Sequence, residues 1–169
     1  MELSEIETIR TDKGISDYII DDIINDVAGI ITPSAQRHNI KLIINKSPAV
    51  SIVRVNRDRL KQLLINLLDN AIKYSNSEGV VKLDCELTGN NVVFVVSDDG
   101  IGIAEEHLSR IFERFYRVDK GRSRKRGGTG LGLSIVKHIV ELYKGEISVK
   151  SVEGQGTTIV VSLPIAVQI

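Results

Sequence analysis

The sequence predicts an α+β fold: a two-layer sandwich in which a mixed, mainly antiparallel sheet of about five strands is backed by three helices. Three observations carry that expectation. Helical and strand periodicities follow one another in mixed rather than strictly alternating order. Two hairpin signals, Gly89-Asn90-Asn91 and "VEGQG", join strand-like runs. The 169 residues, 42% of them hydrophobic, suffice for one well-buried domain and show no linker to a second.

In chain order, Ser16-Asp17 offers an N-cap, after which Ile19, Ile20, Ile23, Ile24, Val27, Ile30 and Ile31 recur at helical spacing. Pro33 is expected to kink or end this first helix, with Gly29 nearby easing the clash of its ring. "IKLIINK" and "SIVRV" read as short strands separated by Ser47-Pro48. Asn56 then caps a second helix bearing Leu60, Leu63, Leu64, Leu67, Leu68 and Ala71. "VVKLDCEL" alternates and "VVFVVSD" is nearly continuous in apolar residues, which predicts an antiparallel pair with the second strand central. "EEHLSRIFERF" predicts a short helix, and "LGLSIVKHIVELYK" a third long one with Ile135, Val136, Ile139, Val140 and Tyr143 on its apolar face and Gly145 as its C-cap. "EISVKS" and "TTIVVSLP" complete a last hairpin.

Twenty-two basic and 22 acidic residues cancel, so net charge argues for neither wholesale nucleic-acid nor anionic-membrane binding. Cys85, the single cysteine, excludes an intrachain disulfide and a thiolate metal cluster and reads as buried filler in a strand. No apolar run approaches the roughly 18 to 20 residues that cross a bilayer, and the acidic start at Met1-Glu2 is no signal peptide, so the chain as given reads as soluble.

Chemistry concentrates in a few stretches. In "NLLDNAIKYS", Asn66, Asn70 and Lys73 fall within about 60° of one another on a helical wheel, a polar stripe beside the leucine face. Asparagine is a poor helix former, so two of them one turn apart ask for a reason. An amide oxygen is a suitable ligand for Mg²⁺, which takes most of its remaining shell from water and phosphate, and a lysine one turn on could neutralise those phosphates. Solvated asparagines on a surface helix are the plainer alternative.

"DDGIGI" closes the central strand with Asp98 and two glycines, where backbone can approach a flat ligand while a carboxylate accepts its exocyclic amine. "GGTGLGLS" sets glycines just before a helix, whose exposed N–H groups and positive dipole end suit phosphate oxygens. It matches neither the P-loop pattern nor a dinucleotide fingerprint, since no strand precedes it. Between these clusters, "RVDKGRSRKR" holds six basic residues against one acid, too polar to pack, which suits a mobile lid over a polyphosphate.

Together "NLLDNAIKYS", "DDGIGI", "IFERFYRVD", "GGTGLGLSIVK" and "EGQGTTIVVSLP" resemble, in order and spacing, the N, G1, F, G2 and G3 boxes of sensor histidine kinases of two-component systems. The resemblance covers Ser16 to Pro164 and implies the Bergerat ATP-binding fold of the gyrase, chaperone and mismatch-repair ATPases, with a mobile ATP lid. It implies that Asn70 binds Mg²⁺, that Asn66 supports phosphates or metal, that Lys73 meets phosphate oxygens and that Tyr74 lines the nucleotide site. Asp98 would read the adenine amino group, with Gly100, Gly102 and Ile103 shaping its turn. Phe112 and Phe115 would anchor the start of the lid, with Tyr116 against the nucleotide and Arg117 reaching the phosphates at transfer. Gly128, Thr129, Gly130, Leu131 and Gly132 would shape the phosphate end, and Thr157 would complete the pocket. The catalytic set so implied is Asn66, Lys73 and Arg117, and the cofactors are ATP and Mg²⁺.

ATPases of this fold, and the related anti-sigma serine kinases, place a glutamate base one turn before the metal-binding asparagine. Here that position is Asn66, whose amide cannot take a proton from water or serine, so the nucleophile must come from elsewhere. In sensor kinases it is a histidine on a dimerising helical hairpin. His38, His107 and His138 lack that context and read as structural or surface residues. Residues 1–15 accordingly resemble the remnant of a dimerisation helix and its linker, and residues 16–169 the catalytic ATP-binding domain. The resemblance implies a cytoplasmic piece of a membrane-anchored, homodimeric parent, monomeric by itself. ATP and ADP, the parent's own phosphoacceptor hairpin and a downstream response regulator would be its partners. A nucleotide-binding or interaction module without transferase activity is the alternative; an ATPase or serine kinase is disfavoured by Asn66.

Overall fold

The computed structural model describes residues 14–47, 51–118 and 132–165, together with the backbone of 167–168. Strand β1 (Ile15–Ile19) leads directly into helix α1 (Ile20–Arg37), followed by β2 (Lys41–Asn45), β3 (Ile52–Asn56), α2 (Arg57–Tyr74) and the hairpin β4 (Val80–Thr88) and β5 (Asn91–Asp98). A one-turn helix α3 (Glu105–Leu108), helix α4 (Gly132–Leu142), the hairpin β6 (Glu146–Val152) and β7 (Gly156–Leu163), and a short β8 (Val167–Gln168) complete the order. Five strands form one sheet in the order β2-β4-β5-β7-β6, parallel between β2 and β4 and antiparallel elsewhere. The mixed sheet and the central place of β5 are as the sequence predicts.

Helices α1, α2 and α4 lie in one layer, with α2 in the middle contacting both others. Their apolar stripes and the inner face of the sheet make one core, including Ile20, Ile23, Ile24, Leu63, Leu64, Leu67, Leu68, Val136, Ile139 and Phe94. Burying α2 this way is what leaves its asparagine stripe at the rim of the layer.

Four local expectations need correction. Ser16-Asp17 does not cap a helix: it lies in β1, which pairs with β3 from Ile15↔Asn56 to Ile19↔Ile52 and, with β8, makes a second, three-stranded sheet. Pro33 does not end α1, because Ile31 and Ala35 remain in the core on both sides of it and hold the helix together. The left-handed residue that closes α4 is Lys144 (φ 55), not Gly145. Gly145 N–H donates to Val140 O (2.9 Å) and Lys144 N–H to Glu141 O (3.0 Å), a Schellman pair. Glycine is required at 145 for a different reason, since a Cβ there would lie 2.4 Å from Ser162 O. Finally, the helix expected over "EEHLSRIFERF" is confined to α3, with turns beyond it.

Candidate nucleotide site

Asn56 starts α2 as predicted, its Oδ1 accepting the Arg59 N–H at 3.2 Å. The leucines turned inward fix the helix about its axis, so Asn66, Asn70, Lys73 and Tyr74 come to rest half-buried along its edge. Asn66 Nδ2 is buried and has no hydrogen-bond partner among the described residues. Leaving such a donor unsatisfied costs about 1 to 3 kcal/mol, so the position is matched to a group that brings an acceptor. Lys73 Nζ pairs with Asp69 Oδ2 at 2.9 Å, an i,i+4 contact that holds the ammonium beside the stripe.

The turn after β5 is docked on the C-terminal end of α2. Ile101 N–H donates to Tyr74 O at 3.2 Å, and a Cβ on Gly100 would stand 2.2 Å from that same oxygen. The turn is also locked to the β6–β7 hairpin: Gly154 N–H donates to Ile101 O (2.7 Å), and Ile103 N–H donates to Ser151 Oγ (2.7 Å). Gly102 takes φ 68 with Val152 O where a Cβ would be, 2.1 Å away. Ser151 Oγ in turn donates to Gly156 O at 2.9 Å, which leaves the Thr157 hydroxyl, 2.7 Å away, as donor to Ser151. Three motifs far apart in sequence thus meet at one end of the sheet.

The two aspartates of the turn have different tasks. Asp98 accepts the N–H groups of Gly100 (2.9 Å) and Thr157. Burial pushes its carboxyl pKa above the usual range, with neighbouring Asp99 adding to the rise and the two N–H donors opposing it. Asp99 is exposed and caps β4 by accepting the Val80 N–H at 3.0 Å.

Beyond α3 the chain turns through Phe112, with Ile111 buried beneath, to Phe115, Tyr116 and Arg117. The Tyr116 hydroxyl is hydrogen-bonded to His107 Nδ1, and the Arg110 guanidinium lies 4.4 Å from the Tyr116 ring centroid. Arg110, Glu113, Arg114, Phe115, Tyr116 and Arg117 line an open cavity that neither Asp98 nor the α2 stripe borders. We therefore place the candidate site at the sheet end, where the motifs converge.

Gly132 opens α4, and no described residue lies within 4 Å of where a Cβ would sit. Gly128, Thr129, Gly130, Leu131 and all of "RVDKGRSRKR" after Val118 lie outside the described residues. Sequence reasoning missed Asp69, though an aspartate four residues before Lys73 is a standard helical pairing signal. It also missed Ser151, for which no local signal exists. Among the described residues no group of three or more His, Cys, Asp or Glu gathers, and no helix is long and apolar enough to cross a membrane. A divalent ion at Asn70 would accordingly take an amide oxygen from the protein and the rest of its shell from phosphate and water, the donor set that suits magnesium.

A family model described as histidine kinase-, DNA gyrase B-, and HSP90-like ATPase matches residues 55–167. The sensor histidine kinase YkoH of Bacillus subtilis (strain 168) is 51% identical over 108 residues, covering 64% of this chain and 23% of that protein. Full-length ShkA in complex with AMPPNP superposes with a TM-score of 0.79 at 29% identity, over 91% of this chain and 32% of that one. The catalytic domain of histidine kinase ThkA, nucleotide-free, superposes with a TM-score of 0.76 at 28% identity, over 89% of this chain and 95% of that one. The chain spans about a fifth to a third of the length of the curated relatives it matches.

Proposed function

The chain belongs to the histidine kinase-, DNA gyrase B- and HSP90-like ATPase family, and from that membership we propose that it binds Mg-ATP and donates the γ-phosphoryl group to a histidine on a dimerisation hairpin of a longer sensor kinase. The observation that carries this reading is Asn66: a buried amide donor, without a partner among the described residues, stands where the ATPases of this fold would have a catalytic base. Its Nδ2 can donate to a phosphate oxygen, and no carboxylate at that position can activate water. A site of this kind positions a phosphoryl group and waits for an outside nucleophile.

Asp98 accepts from the adenine amino group, while Gly100, Gly102, Ile103 and Tyr74 present backbone and ring to the base. Asn70 offers its amide oxygen to magnesium, and Asn66 and Lys73 face the phosphates. Lys73 then exchanges part of its contact with Asp69 for phosphate oxygens. Magnesium, when bound, neutralises phosphate charge and orients the γ-phosphoryl group. Arg117 adds positive charge as transfer proceeds, with Tyr116 beside it and Gly128, Thr129, Gly130, Leu131 and Gly132 around the phosphates. Thr157 supports Asp98 through its N–H. The phosphoacceptor comes from outside this domain: the His38 ring is bound to Ser34 O at 2.8 Å and that of His107 to Tyr116. Residues 1–15 would join the domain to that hairpin, and a response regulator would take the phosphoryl group next.

The test is transfer in trans from the domain to a family-type hairpin with labelled ATP and Mg²⁺. Parent domain should label the hairpin histidine and Asn70→Ala, folded, should not. Equal labelling by the two would remove Asn70 as metal ligand; tight ATP binding without any labelling would turn the reading toward a nucleotide-binding regulatory module.

A further inference from the structure

Phe115 takes φ 62, a left-handed conformation that costs a non-glycine residue about 1 to 2 kcal/mol. Its own side chain, 67% exposed, offsets little of that. Strain of this kind persists only where the surroundings over-determine it, and the surroundings here are the contacts of the next residue. Tyr116 is held on three sides: its hydroxyl by His107 Nδ1, its ring by the Arg110 guanidinium at 4.4 Å, and its N–H by Glu113 O at 3.3 Å. Arg110 is itself fixed by Glu113 Oε2 at 2.6 Å. Glu106 Oε1 stands 3.5 Å from His107 Nε2. With the ring proton on Nε2, the nitrogen facing Glu106, Nδ1 accepts the phenolic proton.

We propose that His107 is a positioning residue for the phosphate end of the nucleotide site: by holding the Tyr116 hydroxyl, it fixes the strained Phe115–Tyr116 backbone that carries Arg117. His107 reaches no phosphate itself; it sits on α3, a separate element whose ring bond is the tie between that element and the residue just before Arg117. The proposal rests on the role given to Arg117 above.

Its test is calorimetric titration of the whole chain with Mg-ATP and Mg-ADP, with melting temperatures measured alongside. His107→Ala is expected to weaken ATP about three- to tenfold, the factor carried by one net hydrogen bond, while ADP stays within about twofold. Tyr116→Phe should do the same, the double variant should be no weaker than either single, and His107→Gln, whose amide oxygen can accept the phenolic proton, should recover most of the loss. Adding His107→Ala to Arg117→Ala should cost nothing further. Unchanged ATP affinity in His107→Ala, additive losses in the double variants, or an equal loss for ATP and ADP with a lowered melting temperature would each overturn the proposal. A parent chain that folds and binds neither nucleotide would overturn the proposed function with it, whereas a parent that binds and a silent His107→Ala would overturn only this inference.

Discussion

Replacing Gly100 by alanine puts a methyl group where the site is closest-packed. The added Cβ would lie 2.2 Å from Tyr74 O and 2.9 Å from both Asp98 Oδ1 and Ser75 Cα. Favourable contact begins near about 3.5 Å, so the turn and the end of α2 must separate by roughly 1 Å. Tyr74 O and Ser75 Cα are backbone and cannot swing aside as a side chain could. Separation also stretches or breaks the Ile101 N–H to Tyr74 O bond, 3.2 Å in the parent. Overpacking costs about 1 to 3 kcal/mol and a lost hydrogen bond about 0.5 to 1.5, so we expect a loss of about 2 to 4 kcal/mol. For a domain of this size that lowers the melting temperature by roughly 5 to 15 °C. Below the melt, the 1 Å displacement of Asp98 from the α2 stripe should weaken ATP by at least about tenfold. Thermal unfolding and calorimetric titration measure the two effects. Gly29→Ala is the control: nothing lies within 4 Å of a Cβ there, on an exposed helical turn, so it should stabilise by about 0.5 to 1 kcal/mol. A Gly100→Ala protein that melts with the parent and binds ATP as tightly would refute the packing of turn on helix.

Two further outcomes follow from the buried acidic groups. Asp98→Asn keeps an acceptor for Gly100 N–H but loses the charge, and should weaken ATP about 10- to 100-fold, the worth of a charged hydrogen bond. Because burial raises the Asp98 pKa in the folded state, the parent's stabilisation from this group is full below about pH 3.9 and is lost as pH rises through the raised value. The melting temperature of the variant relative to the parent should therefore climb across that window and then level off; a difference that fell with rising pH would mean that the carboxylate is stabilised by folding. Cys85, whose thiol is pushed up to about 12 by burial, with the charge of Asp21 adding to it, should react with iodoacetamide at pH 8 roughly a thousandfold more slowly than a free thiol and reach the free rate on unfolding. Prompt labelling of the folded chain would place Cys85 at the surface.

The candidate site stands out in the sequence because its residues contradict their local setting. Two asparagines inside a leucine-rich helix, and aspartate with glycines ending an apolar strand, are poor choices for folding alone; the asparagines lie half-buried along α2, and the glycine turn docks on Tyr74 at the end of that helix and on the β6–β7 hairpin. What escaped the sequence depended on long-range partners. β1 reads as a helix start because Ser16-Asp17 is good capping chemistry, and only its pairing with β3 makes it a strand. β8, two residues long, has no periodicity to detect and exists through Val53 and Ile52. Pro33 obeyed the core rather than its own preference, since the buried positions of α1 continue past it to Ala35. Ser151 looks like any strand serine until Ile103, Gly156 and Thr157 are brought around it.

The two ends of the site are built differently, and the difference bears on how transfer would proceed. At the Asp98 end, the turn is tied to Tyr74 O, to the Gly154 N–H, to Ser151 Oγ and to the Thr157 N–H, so its acceptor is set before any ligand arrives. At the Asn66 end, a buried donor finds no acceptor among the described residues. On the proposed function, binding free energy gained at the preformed end would hold the reacting groups at the other. On the same reading, an ATPase would place its own base where this chain has the amide of Asn66. The γ-phosphoryl group would then be held with one side available to an approaching imidazole, and ATP and ADP should differ in affinity mainly through what Asn66, Lys73 and Arg117 add.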